Sequence, residues 1–271
     1  MSESQALREK IHEANIAVHK VEAAYYERLH PEVYGKSEQQ RIISALTEAD
    51  KLVAENRKQA LDFGAGTGNL TGKLLKLGYE VTAVDISPEM CEILRKKFKN
   101  QIDTKKLTVI NAPIEDAPLG ISKFDLICCY SVLHHLPDYE STLQRLCNLL
   151  KKGGVIYIDH EASPNYWTQE PTMLAEITKA IYMHSNPIIN SLHYQLVGFR
   201  VPTMDYELSD YWHKKEHPIN HQKIQKIFKT QKFKLCKRTD YHSKGTWVYN
   251  PIFTIYKLVC RPEMSCWIAK K

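Results

Sequence analysis

The 271-residue sequence has no run of about 18 apolar residues, so we expect no membrane-spanning helix. Its polar start, Met1 to Gln5, leads into no apolar segment, so we expect no secretory signal. None of the seven cysteines forms a C-x-x-C pair, and their odd number argues against a disulfide framework. Reduced thiols and a cytoplasmic location are therefore predicted, without a structural zinc site.

Internal repeats and low-complexity tracts are also missing, and the 43% hydrophobic and 25% charged residues are typical of globular proteins. The length fits one large domain, or a compact domain with additions. The net charge of the chain is +6, and the basic residues are concentrated in one segment. Lys214 to Arg238 contains nine basic residues and one acid. We interpret this segment as a solvated helix face and expect no nucleic-acid partner, although an anionic membrane surface remains an alternative.

Short apolar strands alternate with amphipathic helices from residue 59 to residue 159, which predicts a mostly parallel sheet with helices on both faces. A helix near Asn220–Lys229 and two later strands complete a Rossmann-like, doubly wound sheet of seven strands whose last hairpin is antiparallel. An amphipathic N-terminal helix is predicted from an apolar stripe that runs from Leu7 to Tyr25. The predicted strands are 59–63, 79–85, 107–111, 124–130, 155–159, 233–241 and 264–270.

The central motif is the glycine loop Gly64-Ala65-Gly66-Thr67-Gly68, which follows the first strand. Glycines at alternate positions permit a tight turn and let the backbone approach a ligand closely. The third glycine comes one residue too early for the dinucleotide pattern G-x-G-x-x-G, which positions a pyrophosphate. Asp85 ends the next strand, where a carboxylate can accept both hydroxyls of a ribose. A nucleoside-type ligand without a pyrophosphate fits best.

Four blocks in order resemble the class I S-adenosylmethionine (SAM)-dependent methyltransferases of the small-molecule type. They are Asp62–Gly68, Val84–Met90, Phe124–Leu136 and Leu149–Gly154, so that the resemblance covers about residues 60–160. It implies SAM as the cofactor and S-adenosylhomocysteine as the product.

The resemblance also implies which residues hold the cofactor. Asp62 would anchor the amino group, Asp85 the ribose, and Tyr25 with Tyr26 would form part of a lid, unless these tyrosines only pack the helix stripe. Ala112-Pro113 stands where such proteins commonly carry an acid on the adenine amine, so this role passes to Glu115, to Asp116 or to the backbone. The implied set is Tyr25, Tyr26, Asp62, Gly64, Ala65, Gly66, Gly68, Asp85, Ile86, Met90, Ile114, Glu115, Tyr130 and Ser131.

Candidate catalytic bases follow the carboxyl ends of two strands, the edge at which open α/β sheets bind ligands. They are His134, His135, His160 and Glu161. Histidine suits proton transfer near neutrality, but each of the four is also compatible with a structural role, and alignment alone can suffice. No metal is predicted, because Tyr130 and Asp159-His160 do not match the acid pair of cation-dependent catechol methyltransferases.

The chain divides into a lid (1–55), a SAM-binding core (56–160), an acceptor cap (161–215) and a C-terminal completion of the sheet (216–271). Aromatic groups in the cap fit a pocket for a small organic acceptor, or the core of the cap itself. They are Tyr166-Trp167, Tyr182-Met183-His184, His193-Tyr194 and Phe199-Arg200. For the apolar stretch Trp247–Tyr256 we expect a core strand or a cap.

The predicted function is methyl transfer from SAM to an oxygen or nitrogen of a small metabolite by in-line displacement. The predicted partner is the small acceptor, and the chain is expected to be a monomer or a homodimer. Two alternatives remain open: a quinone or lipid methyltransferase at a membrane surface, and a SAM-binding regulator without turnover.

Overall fold

The computed structural model describes residues 3–54, 58–168, 172–178, 203–243 and 251–271. Its seven-stranded sheet has the order β3-β2-β1-β4-β5-β7-β6. The pairs among β1 to β5 are parallel, whereas β7 runs antiparallel to both β5 and β6. The strands are β1 Gln59–Phe63, β2 Glu80–Asp85, β3 Leu107–Asn111, β4 Phe124–Tyr130, β5 Leu150–Ala162, β6 Leu235–Tyr241 and β7 Met264–Lys270. The predicted fold class is confirmed.

Helices precede the sheet, connect its strands and follow β5. The N-terminal ones are α1 Glu3–Glu22, α2 Tyr26–Leu29, α3 Pro31–Tyr34 and α4 Lys36–Leu52. The connecting ones are α5 Asn69–Lys76, α6 Pro88–Lys97, α7 Lys99–Asp103 and α8 Tyr139–Leu149. After β5 come α9, described over residues 173–178, and α10 Thr203–Ser209, α11 His221–Thr230 and α12 Pro251–Val259.

The core lies on both faces of the sheet, because successive strand side chains point to opposite faces. On one face Leu61 belongs to a buried cluster with Leu143 of α8 and Phe228 of α11. On the other, Ala60 belongs to a cluster with Leu46 of α4 and Leu74 of α5. All seven residues of β4 are buried, as expected for a central strand that is covered on both faces.

Helix caps fix where the connecting helices begin. Ser87 accepts a hydrogen bond from the Met90 amide at 3.3 Å, and Pro88 is the first residue of α6. Asp138 caps α8 in the same way, accepting from the Ser141 amide at 3.0 Å. The cap on α6 starts this helix directly beyond the carboxyl end of β2.

The boundary between α8 and β5 differs from the prediction. The sequence favoured a helix up to Lys151, ended by Gly153-Gly154, and a strand from Val155. Instead β5 begins at Leu150 and contains both glycines. A Cβ on Gly154 would lie 2.8 Å from Cγ of Leu150 and 3.1 Å from the Asp125 carbonyl oxygen. Glycine therefore permits close strand packing here rather than ending the helix.

Of the two alternatives for Trp247–Tyr256, the strand is wrong over its described part, because residues 251–256 belong to α12, a helix. The other alternative, a cap, stays a prediction. Residues 247–250 lie outside the described residues, as do the predicted cap groups Tyr182-Met183-His184, His193-Tyr194 and Phe199-Arg200. The division into lid, core, cap and completion remains a prediction. Among the described residues, no helix has the length and apolar character needed to cross a membrane.

Candidate active site

The glycine loop leaves β1 in a conformation that favours glycine. Gly64 has a φ of +68°, and a Cβ there would lie only 2.3 Å from Cγ2 of Val132. The Gly64 amide donates to the Val84 carbonyl at 2.9 Å, which ties the loop to the end of β2. Gly66, with a φ of +51°, continues the turn. The loop backbone thus reaches the carboxyl end of the sheet without side chains in between.

Asp85 stands at the end of β2 and faces this loop. Its Oδ2 accepts from the Gly66 amide at 2.7 Å and its Oδ1 from the Ser87 amide at 2.9 Å. Each carboxylate oxygen has a further lone pair, so two more donors can bind. Burial raises the pKa of Asp85, although both amides favour the charged form. The side chain is held in place with acceptor capacity left over.

Loop and carboxylate border a cavity of about 730 Å³, a volume that includes its solvent-open mouth. It lies beyond the ends of β1, β2 and β4, the edge that the sequence predicted. The predicted cofactor residues that line it are Tyr26, Gly64, Gly66, Asp85, Ile86, Met90, Ile114, Glu115, Tyr130 and Ser131.

Four predicted cofactor residues lie outside this lining. Tyr25 is 42% exposed on the surface, and Ala65 is buried in the core. Gly68 begins α5 and faces Phe98. Asp62 lies beneath the loop, where it accepts from the Thr71 hydroxyl at 2.5 Å, and burial raises its pKa to about 6. These four residues are not in the cavity lining, and their contact with the cofactor stays a prediction; Asp62 and Gly68 shape the loop.

The sequence analysis missed three cavity residues on α1: His12, Asn15 and His19. The Asn15 amide group donates to the His135 carbonyl at 3.1 Å, which fastens α1 over the cavity. A signal was present, because these residues recur at spacings of three and four directly beside the buried stripe of Ile11, Ala14 and Val18. That polar stripe marks a helix face turned toward a polar site.

Among the predicted catalytic residues, His135 lines the cavity. Its Nδ1 donates to the Ser209 carbonyl at 2.7 Å, so that the neutral ring carries its lone pair on Nε2. Burial, together with the charge of His134, lowers the pKa of His135 to about 3. The ring is therefore neutral at physiological pH.

His134 and Glu161 form a buried pair beside the cavity rather than in its lining. Nδ1 of His134 lies 2.8 Å from Oε2 of Glu161. The other oxygen accepts from the amides of Val132 and Leu133 at 3.0 and 2.8 Å. Burial lowers the pKa of His134, but the Glu161 carboxylate outweighs it and the net pKa is raised. Glu161 thus anchors the turn that carries both histidines.

His160, the fourth predicted base, belongs to a different cluster. Its Nδ1 lies 3.1 Å from the Tyr130 hydroxyl and 3.2 Å from that of Tyr241. Its backbone takes a φ of +62° and its ring stacks on Tyr130, with centroids 5.0 Å apart. The surrounding ion-pair network consists of Glu38, Arg41, Tyr130, Tyr157, Asp159, His160 and Tyr241. Packing in this network explains why His160 is not in the cavity lining.

Comparison with known proteins identifies the domain. Residues 61–158 match a family model described as a methyltransferase domain. A ubiquinone biosynthesis O-methyltransferase of Histophilus somni is 36% identical over 103 residues, which are 37% of this chain and 43% of that protein. The chain thus matches less than half the length of this relative.

Solved structures support the fold. A SAM-dependent methyltransferase from Mesorhizobium loti superposes with a TM-score of 0.55 at 16% identity, over 83% of this chain and 96% of that one. One from Archaeoglobus fulgidus gives 0.53 at 17% identity, over 91% and 100%. Residues 61–158 therefore form a class I SAM-dependent methyltransferase domain, which confirms the resemblance and SAM as the cofactor of the family.

The residues at the cavity fit this cofactor. The absent side chain of Gly64 leaves the close approach that its methionine part needs. Asp85 has acceptor capacity for two ribose hydroxyls, and Ile86 with Met90 offers apolar contact for a flat ring. At the unusual Ala112-Pro113 position, Glu115 lines the cavity whereas Asp116 is exposed.

Proposed function

We propose that this chain is a SAM-dependent methyltransferase that methylates an oxygen or nitrogen nucleophile of a small molecule. The observation that carries the proposal is the cavity itself. The glycine loop and Asp85 border it on the cofactor side, and His135 stands at the same cavity with its Nδ1 already bound. A cofactor site and a polar group for an acceptor thus meet in one cavity.

When bound, SAM supplies an activated methyl group together with its leaving group. The chain's own residues then mainly align the reactants. Asp85 would bind the ribose hydroxyls, and Glu115 is the acid in the cavity lining that would contact the adenine. Tyr130 and Ser131 line the cavity beyond β4, and His135 is the candidate catalytic residue that contacts the acceptor. Helix α1 contributes His12, Asn15 and His19 to the cavity lining.

Relatives named ubiquinone biosynthesis O-methyltransferases favour a phenolic oxygen as the acceptor. An acceptor of that kind leads to the second reading, in which a quinone or lipid is methylated at a membrane surface. A regulator that binds SAM without turnover is the third. Product formation separates the third from the others, and dependence on vesicles separates the second from the first.

The decisive experiment incubates the protein with methyl-labelled SAM and a panel of catechols, hydroquinones and amines, with and without anionic vesicles, and detects products by mass spectrometry. Labelled product from a panel member supports the proposal. A protein that binds SAM tightly but yields no product with any acceptor contradicts it and favours the regulator.

Two variants assign the roles. Asp85→Asn should weaken SAM binding by roughly 10- to 100-fold in calorimetry, since hydrogen bonds to a charged group contribute about 1.5–3 kcal/mol. His135→Gln should reduce turnover at least about tenfold while SAM affinity stays nearly unchanged. His242→Gln is the matched control, because His242 pairs with Glu263 at 2.9 Å away from the cavity lining. Equal turnover in both histidine variants would remove His135 from the mechanism.

A further inference from the structure

Beside the cavity, three potential metal ligands meet that lie far apart in the sequence. They are His134 and His135, which follow β4, and Asp210, which follows α10. One ring nitrogen of each histidine and one carboxylate oxygen of Asp210 all lie within 4.8 Å of one another. Nδ1 of His135 and Oδ1 of Asp210 are 3.3 Å apart. The fold thus gathers two imidazoles and a carboxylate at one point.

The His134 ring is oriented as in metal-binding histidines. A histidine that ligates a metal usually donates its other ring N–H to a carboxylate or a backbone carbonyl, which fixes the tautomer and the ring direction. Nδ1 of His134 is held by Glu161 at 2.8 Å, and Nδ1 of His135 by the Ser209 carbonyl at 2.7 Å. His134 can therefore offer Nε2 without losing Glu161. The His135 nitrogen that lies 3.3 Å from Asp210 is Nδ1, which would exchange its hydrogen bond to Ser209 for the ion.

Glu161, which supports His134, is held more rigidly than Asp210, the third potential ligand. Glu161 is fully buried and bound by two backbone amides, so that its position is fixed by the fold. The Asp210 side chain is 46% exposed. Atoms that bind one ion at about 2.0–2.2 Å lie closer to one another than the 4.8 Å within which these three atoms now lie. Rotation of the exposed Asp210 side chain brings its carboxylate closer to the two rings.

We propose that His134, His135 and Asp210 form a binding site for a divalent transition metal of the zinc type. Imidazole nitrogens with one carboxylate suit zinc and its neighbours better than magnesium or calcium, which prefer oxygen ligands. Three protein ligands leave at least one position open, the arrangement of a reactive rather than a structural zinc site. The sequence lacks the acid pair of cation-dependent catechol methyltransferases, and in this site two histidines and one aspartate bind the ion instead.

The site also narrows the acceptor class, a step that rests on the proposed function. His135 lines the cofactor cavity, so an ion bound to it lies next to that space. An acceptor oxygen can occupy the open position, which favours a hydroxyl acceptor over an amine. His135 then acts as a ligand to the ion, and the proton of the acceptor hydroxyl passes to solvent water at the open mouth of the cavity.

The test titrates Zn²⁺ into the chelator-treated protein without SAM and follows the heat by calorimetry, with Co²⁺ absorption as a second probe. We expect one ion per chain with micromolar or tighter affinity. Asp210→Asn and His135→Gln should each weaken binding at least about tenfold. Glu161→Gln should weaken it by about 10- to 100-fold, the usual effect of losing a partner of a ligating histidine.

The control variants are His242→Gln and Asp138→Asn, which leave the cluster intact and should bind Zn²⁺ like the original chain. Circular dichroism and SAM affinity confirm that each variant is folded. Absence of stoichiometric binding, or equal binding in Asp210→Asn, His135→Gln and the controls, overturns the site. Methyl transfer that persists in the presence of chelator leaves the proposed function standing without the metal. Zn²⁺ binding without product from any acceptor leaves the site standing without the function.

Discussion

Two polar clusters lie near the carboxyl ends of the central strands, and they use similar residues for different ends. In the ion-pair network around Arg41, each described charged group has a partner inside the protein. At the cavity, Asp85 and His135 are each held by backbone groups yet keep acceptor capacity toward an open space. Residue type and strand position do not distinguish the two clusters, whereas their internal hydrogen bonding does.

The charged groups of this network are stabilised by partners of opposite charge within it. Arg41 lies 2.6 Å from Oε1 of Glu38 and 2.8 Å from Oδ2 of Asp159, with its guanidinium 3.7 Å from the centre of the Tyr241 ring. Both carboxylates are fully buried. Removing one partner of such a set leaves an uncompensated buried charge, which costs far more than the pair contributes on balance.

The largest expected effect is therefore on stability. Arg41→Met should lower the free energy of unfolding by about 3–5 kcal/mol in denaturant titrations, because Glu38 and Asp159 lose their counter-ion. The matched control is Lys237→Met, which breaks a half-exposed pair with Glu48 and should cost less than about 1 kcal/mol. Similar losses in the two variants would contradict the distinction between network and surface.

An intermediate effect is expected in the cavity loop. Gly64→Ala places a Cβ against Val132 at a positive φ, so it should destabilise the fold by about 1–3 kcal/mol and weaken SAM binding at least about tenfold. Gly78→Ala is the control, since its φ of +85° imposes backbone strain but no atom lies within 4 Å of the added Cβ. Normal SAM affinity of Gly64→Ala in calorimetry would contradict a contact between the loop and the cofactor.

The smallest expected effect is a pH dependence of the network. Burial lowers the pKa of His160 more than the carboxylates of Glu38 and Asp159 raise it. The unfolded chain therefore takes up this proton first as the pH falls below about 6.5, and native stability declines from there toward the folded-state pKa.

His160→Gln removes this titration. Its free energy of unfolding should be lower than that of the original chain at pH 8, because hydrogen bonds to Tyr130 and Tyr241 are altered. Between pH 8 and 5.5 it should also fall less steeply. Turnover per folded molecule should remain nearly unchanged. Parallel stability curves, or a selective loss of turnover, would return His160 to the list of catalytic candidates.

The sheet and the cofactor half of the site were predictable because they depend on local patterns. A buried strand such as β4 is apolar throughout, the glycine spacing marks the turn after β1, and Asp85 ends the next strand. The histidine side of the cavity was predicted only in part, since His134 and His135 follow β4 but their neighbours come from α1 and from Asp210. The start of β5 was predicted wrongly at Gly153-Gly154, because glycine occurs both at helix ends and at close contacts between strands.

By itself, the sequence determined the doubly wound sheet, the glycine loop and the carboxylate that faces it, because hydrophobic period and backbone conformation are encoded over a few neighbouring residues. Tertiary structure alone decided which histidine serves which cluster. His134, His135 and His160 have similar positions at strand ends, but Arg41 and Tyr241 enclose one of them, and Asp210 and Asn15 approach the others. Long-range packing sets which polar groups are satisfied, and that satisfaction separates a structural histidine from one that is available to a ligand.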